Sequence, residues 1–209
     1  MTAEPPAPRA RYHHGALQEA LIAAADAILV ERGVEGFSLR EAARRAGVSP
    51  AAPAHHFRSA AGLLTELAIR GFRDLTRALL SEPAPPGADA VARLHAMGIG
   101  YVRYALTHPG RFQLMYRKDL LEPDHAALHE SAQEAKRALE GVIRDCFGLA
   151  PEGPLHPAGQ AALAGAWSIA HGFALLALGG SFGPIAGQEE TLQLIQRLLP
   201  AALAPFRPG

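Results

Sequence analysis

The chain has one cysteine, Cys146, among 209 residues, so it closes no internal disulfide. A lone thiol in a helical pattern reads as a small core residue in a reducing cytoplasm, and a cytoplasmic location is expected. Aromatics make up 6% of the residues. Runs rich in Val, Ile, Thr and Tyr are missing, which argues against strands, while abundant Ala and Leu favour helices. No apolar run approaches the roughly 18–20 residues of a membrane span. The opening MTAEPPAPRARYHHG lacks the apolar core of a secretory signal. Charge of one sign is missing too: 20 basic and 20 acidic residues cancel. Residues 1–80 hold 10 Arg against 8 acids (+2), and residues 81–209 hold 10 basic residues against 12 acids (−2). That small asymmetry permits a basic face near the N-terminus. Neither a Gly-rich phosphate loop, nor a Gly-x-Ser-x-Gly elbow, nor His-Glu-x-x-His occurs, so no enzyme is expected. The pairs His13-His14 and His55-His56 suggest a metal. Adjacent helical residues diverge by about 100°, however, and no Cys or carboxylate completes a site, so no metal or cofactor is expected.

What is present is helical periodicity with punctuation. Residues 1–10 are rich in Pro and Ala and read as a disordered arm carrying Arg9, with Arg11 just beyond. A first helix is expected over 14–32, with Leu17, Leu21, Ala24 and Ile28 on one face and Gly33 as its stop. Ser38-Leu39-Arg40-Glu41 has the pattern of a capping box for a short second helix ending near Ala46. Gly47 suits a left-handed turn. Ser49 then reads as the cap of a third helix with Pro50 at its first position. A fourth helix begins near Ser59 and runs to about Leu80. Two short helices joined through Gly-Val-Ser have helix-turn-helix spacing. SEPAPPG, 81–87, marks a boundary. Further helices are expected to about His108, over about 123–147, over about 157–179 and over about 187–203. The short segment GRFQLMYRKDL lies between the first two, and a Gly-Gly-Ser-Phe-Gly-Pro loop precedes the last.

RYHHGALQEALIAAADAILVERGVEGFSLREAARRAGVSPAAPAHHFRSAAGLL resembles the N-terminal DNA-binding domain of TetR/AcrR-type transcriptional regulators. YHHG, FSLREAARRAGVS and HHF carry the likeness most specifically. HPGRFQLMYRKDL and AWSIAHGFALLALGG resemble the ligand-binding half of the subgroup described by a Trp-His-Gly signature, spread here over Trp167 and His171-Gly172. The resemblance implies an all-α protein of about nine helices. It would comprise a helix-turn-helix domain at 11–59, a connecting helix 4 at 60–80, and a ligand-binding and dimerisation domain at 88–209. It implies a homodimer on palindromic double-stranded operator DNA, usually a repressor, released by a small-molecule effector.

On that reading Ser49 and nearby backbone amides meet a phosphate. Pro50 opens the recognition helix, and Ala51 and Ala52 let it sit close in the groove. His55 and His56 reach phosphate or base edges. Ser38 and Arg40 meet adjacent backbone, and Arg44 lies further along the same helix. Two positions depart from the family pattern: Ala54 stands where Tyr is usual and Ala60 where Lys is usual. Arg58, where glycine is common, supplies a partial substitute. Fewer phosphate contacts are therefore expected, and a regulator-like binding module with weakened or lost operator binding is the alternative. In the C-terminal half His95, Met97, Tyr101, Tyr104, Phe112, Met115, Tyr116, Trp167, His171 and Phe173 are the candidate lining of a pocket for a medium-sized, lipophilic or partly aromatic effector. Trp167 and His171, four apart, share a helix face. The last two helices are unusually apolar and are expected to form the dimer interface.

Overall fold

Leu21, Ile22, Ala25, Ile28 and Leu29 recur at three- and four-residue steps and are all buried, which fixes the inner face of α1 (Arg9–Arg32). The computed structural model describes residues 9–186 and 190–204, leaving aside the side chains of 9–14, 184 and 186. Among the described residues the chain is all helical. Residues 1–8 of the expected arm, and the side chains of Arg9, Arg11, His13 and His14, lie outside the described residues. The helix itself begins at Arg9 rather than His14.

α2 (Leu39–Arg45), α3 (Ala52–Phe57) and α4 (Ala60–Ser81) follow. α5 (Ala90–Thr107) is capped by Asp89, whose carboxylate accepts from Ala92 N at 2.7 Å. Next come α6 (Pro109–Met115), a 3-10 turn (Lys118–Leu120), and α7 (Ala126–Cys146). α8 (Pro157–Leu178), the one-turn α9 (Gly183–Ala186) and α10 (Thr191–Leu203) complete the chain. α1–α3 form a small N-terminal unit. α4 packs against α1 and α3 at its start and against α5, α6 and α7 along its length, while α5 also packs against α8 and α10. α4 therefore belongs to both ends of the molecule.

Several expectations need correction. α9 interrupts the loop expected between the last two helices, and α10 starts at Thr191. Residues 187–189, placed at the start of the last helix, lie outside the described residues. α8 is long and apolar enough to cross a membrane by length and composition, contrary to the expectation of no such run. The reason is that residues 153–188 contain no Asp, Glu, Lys or Arg. Interspersed Gly, Ser and His disguised the length of that stretch.

α8 shows what its composition does. Its buried stripe is Gly159, Ala162, Ala166, Ala170 and Ala174, all small, so it lies close against its neighbours. Its large residues face out: Trp167, Leu175 and Leu176 are each more than 40% exposed. α10 is the reverse. Leu194, Ile195, Leu199 and Leu203 are buried and Leu198 packs against the same core, so most of its large apolar residues are used within the subunit.

Candidate DNA-reading face and effector cavity

The turn between α2 and α3 follows from one glycine. Gly47 has φ +70°. Val48 N donates to Ala43 O (3.0 Å) and Gly47 N to Arg44 O (3.2 Å), the paired bonds of a Schellman motif, which only a left-handed residue closes without strain. α2 starts as expected, with Ser38 Oγ accepting from Glu41 N at 3.5 Å. The reciprocal half of the capping box is absent. Glu41 instead accepts two hydrogen bonds from Arg44 (both 2.8 Å) and one from Arg45 (2.9 Å). These guanidinium bonds, Arg44's first, hold the Glu41 carboxyl down to about 2. Arg45 also donates twice to Glu31 of α1 and so ties α2 to α1. Sequence reasoning missed this role because a charge at helical spacing does not reveal which partner lies across the turn.

Ser49 does not cap α3. Its carbonyl accepts from Ala52 N at 3.0 Å. The residue before the helix is Ala51, without a side-chain bond, and the proline in the first turn is Pro53; Pro50 belongs to the preceding turn. Pro53 and Phe57 are buried and seat α3 on the unit's core. Ser38, Arg40, Arg44, Ser49, Pro50, Ala51, Ala54, His55 and Arg58 are exposed, and Ala52 and His56 are half-buried. Every candidate DNA contact therefore opens to solvent on the α2–α3 side. Arg44 is already engaged with Glu41, so a phosphate must compete for it.

Arg58 ends α3 at φ 63°, ψ −43°, with Ser59 N donating to Phe57 O at 2.7 Å. This is a positive-φ γ-turn, rare for a side-chain-bearing residue and costing about 1–3 kcal/mol. Arg58→Gly should therefore raise stability by about 1 kcal/mol after glycine's own entropic cost, while removing a cation from the reading face. Urea denaturation checks the first effect and operator titration the second; a less stable Arg58→Gly protein would refute the strain.

The C-terminal bundle encloses a cavity of about 440 Å³, within the roughly 300–1,000 Å³ usual for small-molecule sites. Tyr101, Met115, Tyr116, Trp167 and Met97 are on its wall. His95, Tyr104, Phe112, His171 and Phe173 are not. Phe112 is fully buried in the core, the Tyr104 hydroxyl donates to Met115 Sδ at 3.7 Å, and Phe173 packs on Phe182 with ring centroids 5.4 Å apart. His171 stands behind the wall. Its Nδ1 is 2.8 Å from the Tyr101 hydroxyl, itself 2.7 Å from that of Tyr116. The imidazole thus pairs with Tyr101 rather than Trp167. Burial pushes Tyr101 and Tyr116 up and His171 down, so this trio is neutral at pH 7.

Wall residues that the sequence did not suggest are the α4 face of Phe72, Leu75 and Leu79, and a rim of Lys118, His129, Gln133 and Lys136. The positions 129, 133 and 136 lie three and four apart on α7. That spacing was a usable signal, obscured by the surface-like composition of the helix. Among the described residues no three His, Cys, Asp or Glu side chains converge as metal ligands.

A Schellman-closed two-helix reader, joined by one long helix to a bundle around an apolar cavity, defines the class of helix-turn-helix regulators. Residues 21–67 match the tetR family of bacterial regulatory proteins, and residues 94–199 match the tetracyclin repressor-like C-terminal domain. The chain belongs to the TetR family. A protein of unknown function from Rhodococcus sp. RHA1 is similar over 94% of this chain and 100% of its own, at 33% identity and a TM-score of 0.72. The TetR family regulator PfmR from Thermus thermophilus shares the fold at 20% identity and TM-score 0.57, covering 88% of this chain and 97% of that one. So does the multidrug binding protein EbrR, solved with imidazole, at 17% identity and TM-score 0.59, covering 92% and 95%. No curated protein matches the chain. Regulators of this family bind operator DNA and small-molecule effectors and act as dimers, and are generally non-enzymatic.

Proposed function

We propose that this chain is a cytoplasmic, ligand-responsive repressor of the Trp-His-Gly subgroup, released from a palindromic operator when an effector fills the C-terminal cavity. The observation that carries the reading is the course of α4. Its first turn is buttressed by α3, and Phe72, Leu75 and Leu79 of the same helix line the cavity. Residues 11–59 read DNA, helix 60–80 connects, and 88–209 bind effector and partner. The exposed face of α8, with Ala161, Ala164, Trp167, Leu175 and Leu176, pairs with its symmetry mate. Only 28% of the apolar window of α8 is buried within one subunit, and a second copy covers the rest, flanked by α10. Two recognition helices then sit about 34–36 Å apart, one duplex turn. The effector acts by preferring a different spacing, and its effect on affinity is bounded by that preference.

Mobility shift with duplex DNA from the region upstream of the protein's own gene tests this. A retarded dimer complex is expected, with a shallow salt dependence. Each phosphate contact adds about 0.9 to the log–log slope, and Ala54 and Ala60 supply none. A steep slope would contradict the reduced contact set. No retardation at low salt would favour the second reading, a regulator-like binding module that has lost its operator, for which those two exposed alanines are the motive.

A further inference from the structure

The chain contains only two lysines, Lys118 and Lys136, and both lie on the rim of the cavity. They come from separate elements, the 3-10 turn after α6 and the middle of α7. Both are exposed, and among the described residues neither forms an ion pair. Three acids of the same segments are turned to arginines, and Glu134 of α7 is not on the cavity wall. Asp119 pairs with Arg117 at 2.8 Å, Glu130 with Arg137 at 2.6 Å, and Glu140 with Arg144 at 2.6 Å. No Asp or Glu lines the cavity. His129 and Gln133 of α7 add hydrogen-bonding groups to the same rim.

Away from the rim the wall becomes apolar. Leu75, Leu79 and Leu94 are buried, and Leu139, Leu163 and Leu203 join them. The interior polar groups, the Tyr101 and Tyr116 hydroxyls, are already bonded to each other and to His171. A ligand tail therefore meets hydrocarbon and aromatic surface, and its head meets two cations.

We infer that the effector is an anionic amphiphile: a carboxylate, or a comparable small anion, held by Lys118 and Lys136, with an apolar tail lying between α4, α5, α7 and α8. Aromatic faces attract cations, and Trp167, Tyr101 and Tyr116 are on the wall. A cationic amphiphile there would face two ammonium groups with no carboxylate on the wall, which decides for the anion. The inference rests on reading the cavity as the effector site.

The test uses three probes of one chain length below their micelle-forming concentrations: decanoate, decanol and decyltrimethylammonium. Binding to the full-length protein is followed by calorimetry, separately from any DNA measurement. Decanoate should bind about tenfold tighter than decanol, and decyltrimethylammonium should not bind. Lys118→Gln with Lys136→Gln should remove the advantage of decanoate and leave decanol unchanged. Lys136→Glu should turn the preference toward decyltrimethylammonium. Both lysines are exposed, so these variants keep the fold, and retained decanol binding confirms that the cavity is intact. Decanoate and decanol binding equally, or a double variant that keeps the decanoate advantage, overturns the inference, as does preferential uptake of the cation. Decanoate that binds in this charge-dependent way without releasing operator DNA upholds the inference and overturns the regulatory reading instead.

Discussion

Gly62→Ala should disable the DNA-reading unit while leaving the C-terminal cavity in place. A Cβ built at Gly62 lies 2.0 Å from the Phe57 carbonyl oxygen and 3.1 Å from its carbon. That neighbour is backbone, so no rotamer change relieves it. The carbonyl is also fixed by the γ-turn bond from Ser59, and Gly62 N is committed to Ser59 Oγ at 3.0 Å. Relief requires either moving the end of α3 or unwinding the first turn of α4 and losing its cap. Overpacking of this kind costs about 3 kcal/mol, of which the cap is about 1. Operator affinity should fall between about tenfold and a hundredfold, as roughly 1–3 kcal/mol of contacts from the displaced 49–58 segment are lost. Gly141→Ala is the control. It lies in α7 with nothing within 4 Å of a built Cβ, so it should stabilise by up to about 1 kcal/mol through helix propensity alone. Equal melting temperatures for the two variants would show that α3 is not held against α4 in this way.

The N-terminal unit was legible because its signals are local. Ser38, Gly47 and Ser59 each specify a cap or turn within four residues, and the structure uses all three. Phe57 and Pro53, four apart on one face of α3, are both buried. What stayed hidden was pairing across elements. Glu41 has two arginines on its own helix and one on α1 within reach, and their combined pull overrides the reciprocal half of the capping box. Ser49 fails as a cap because the chain makes one more turn before α3 starts. Tyr101, Met115, Tyr116 and Trp167 were found for the cavity because aromatic and Met residues on an apolar face are conspicuous. Lys118 and Lys136 were not, since a lysine among charged neighbours looks like ordinary surface until the fold places it on a cavity wall. The apolar residues of α10 suggested a dimer interface, but Leu194, Ile195, Leu199 and Leu203 are buried within the subunit. They pack on α5 and α8, and the all-small inner face of α8 lets the bundle close.

The junction between the two halves should prove equally sensitive at Arg111. This α6 residue donates from Nε to Asp26 of α1 at 3.1 Å and from Nη1 to Asp74 of α4 at 2.6 Å, and a second bond to Asp26 comes from Nη2. Its side chain is 14% exposed against 29% for Asp26 and 25% for Asp74. Burial pulls the guanidinium pKa down, but Asp26 foremost, with Tyr104 and Asp74, more than offsets this. Arg111→Met removes the shared cation. Asp74 keeps Arg77 of its own helix, so Asp26 bears most of the loss. Breaking a buried pair from one side costs about 3–5 kcal/mol; with Asp26 still 29% exposed, about 2–3 is expected. Adding Asp26→Asn should recover most of it, since the cost lies in the abandoned carboxylate rather than in the missing pair. The same helix presses on α1 one residue earlier, where a Cβ at Gly110 would meet the Leu29 carbonyl oxygen at 2.6 Å. It reaches the cavity through Met115 and Tyr116 four and five residues on. α6 is thus short enough to move as a rigid piece touching both the cavity and α1. The Arg111→Met/Asp26→Asn protein, its stability restored, should bind decanoate like the wild type yet release operator DNA less completely on adding it. Urea denaturation of the single and double variants measures the first effect, and operator titration with and without decanoate the second. A single variant as stable as wild type refutes the bridge, and full release by the double variant removes Arg111 from the coupling.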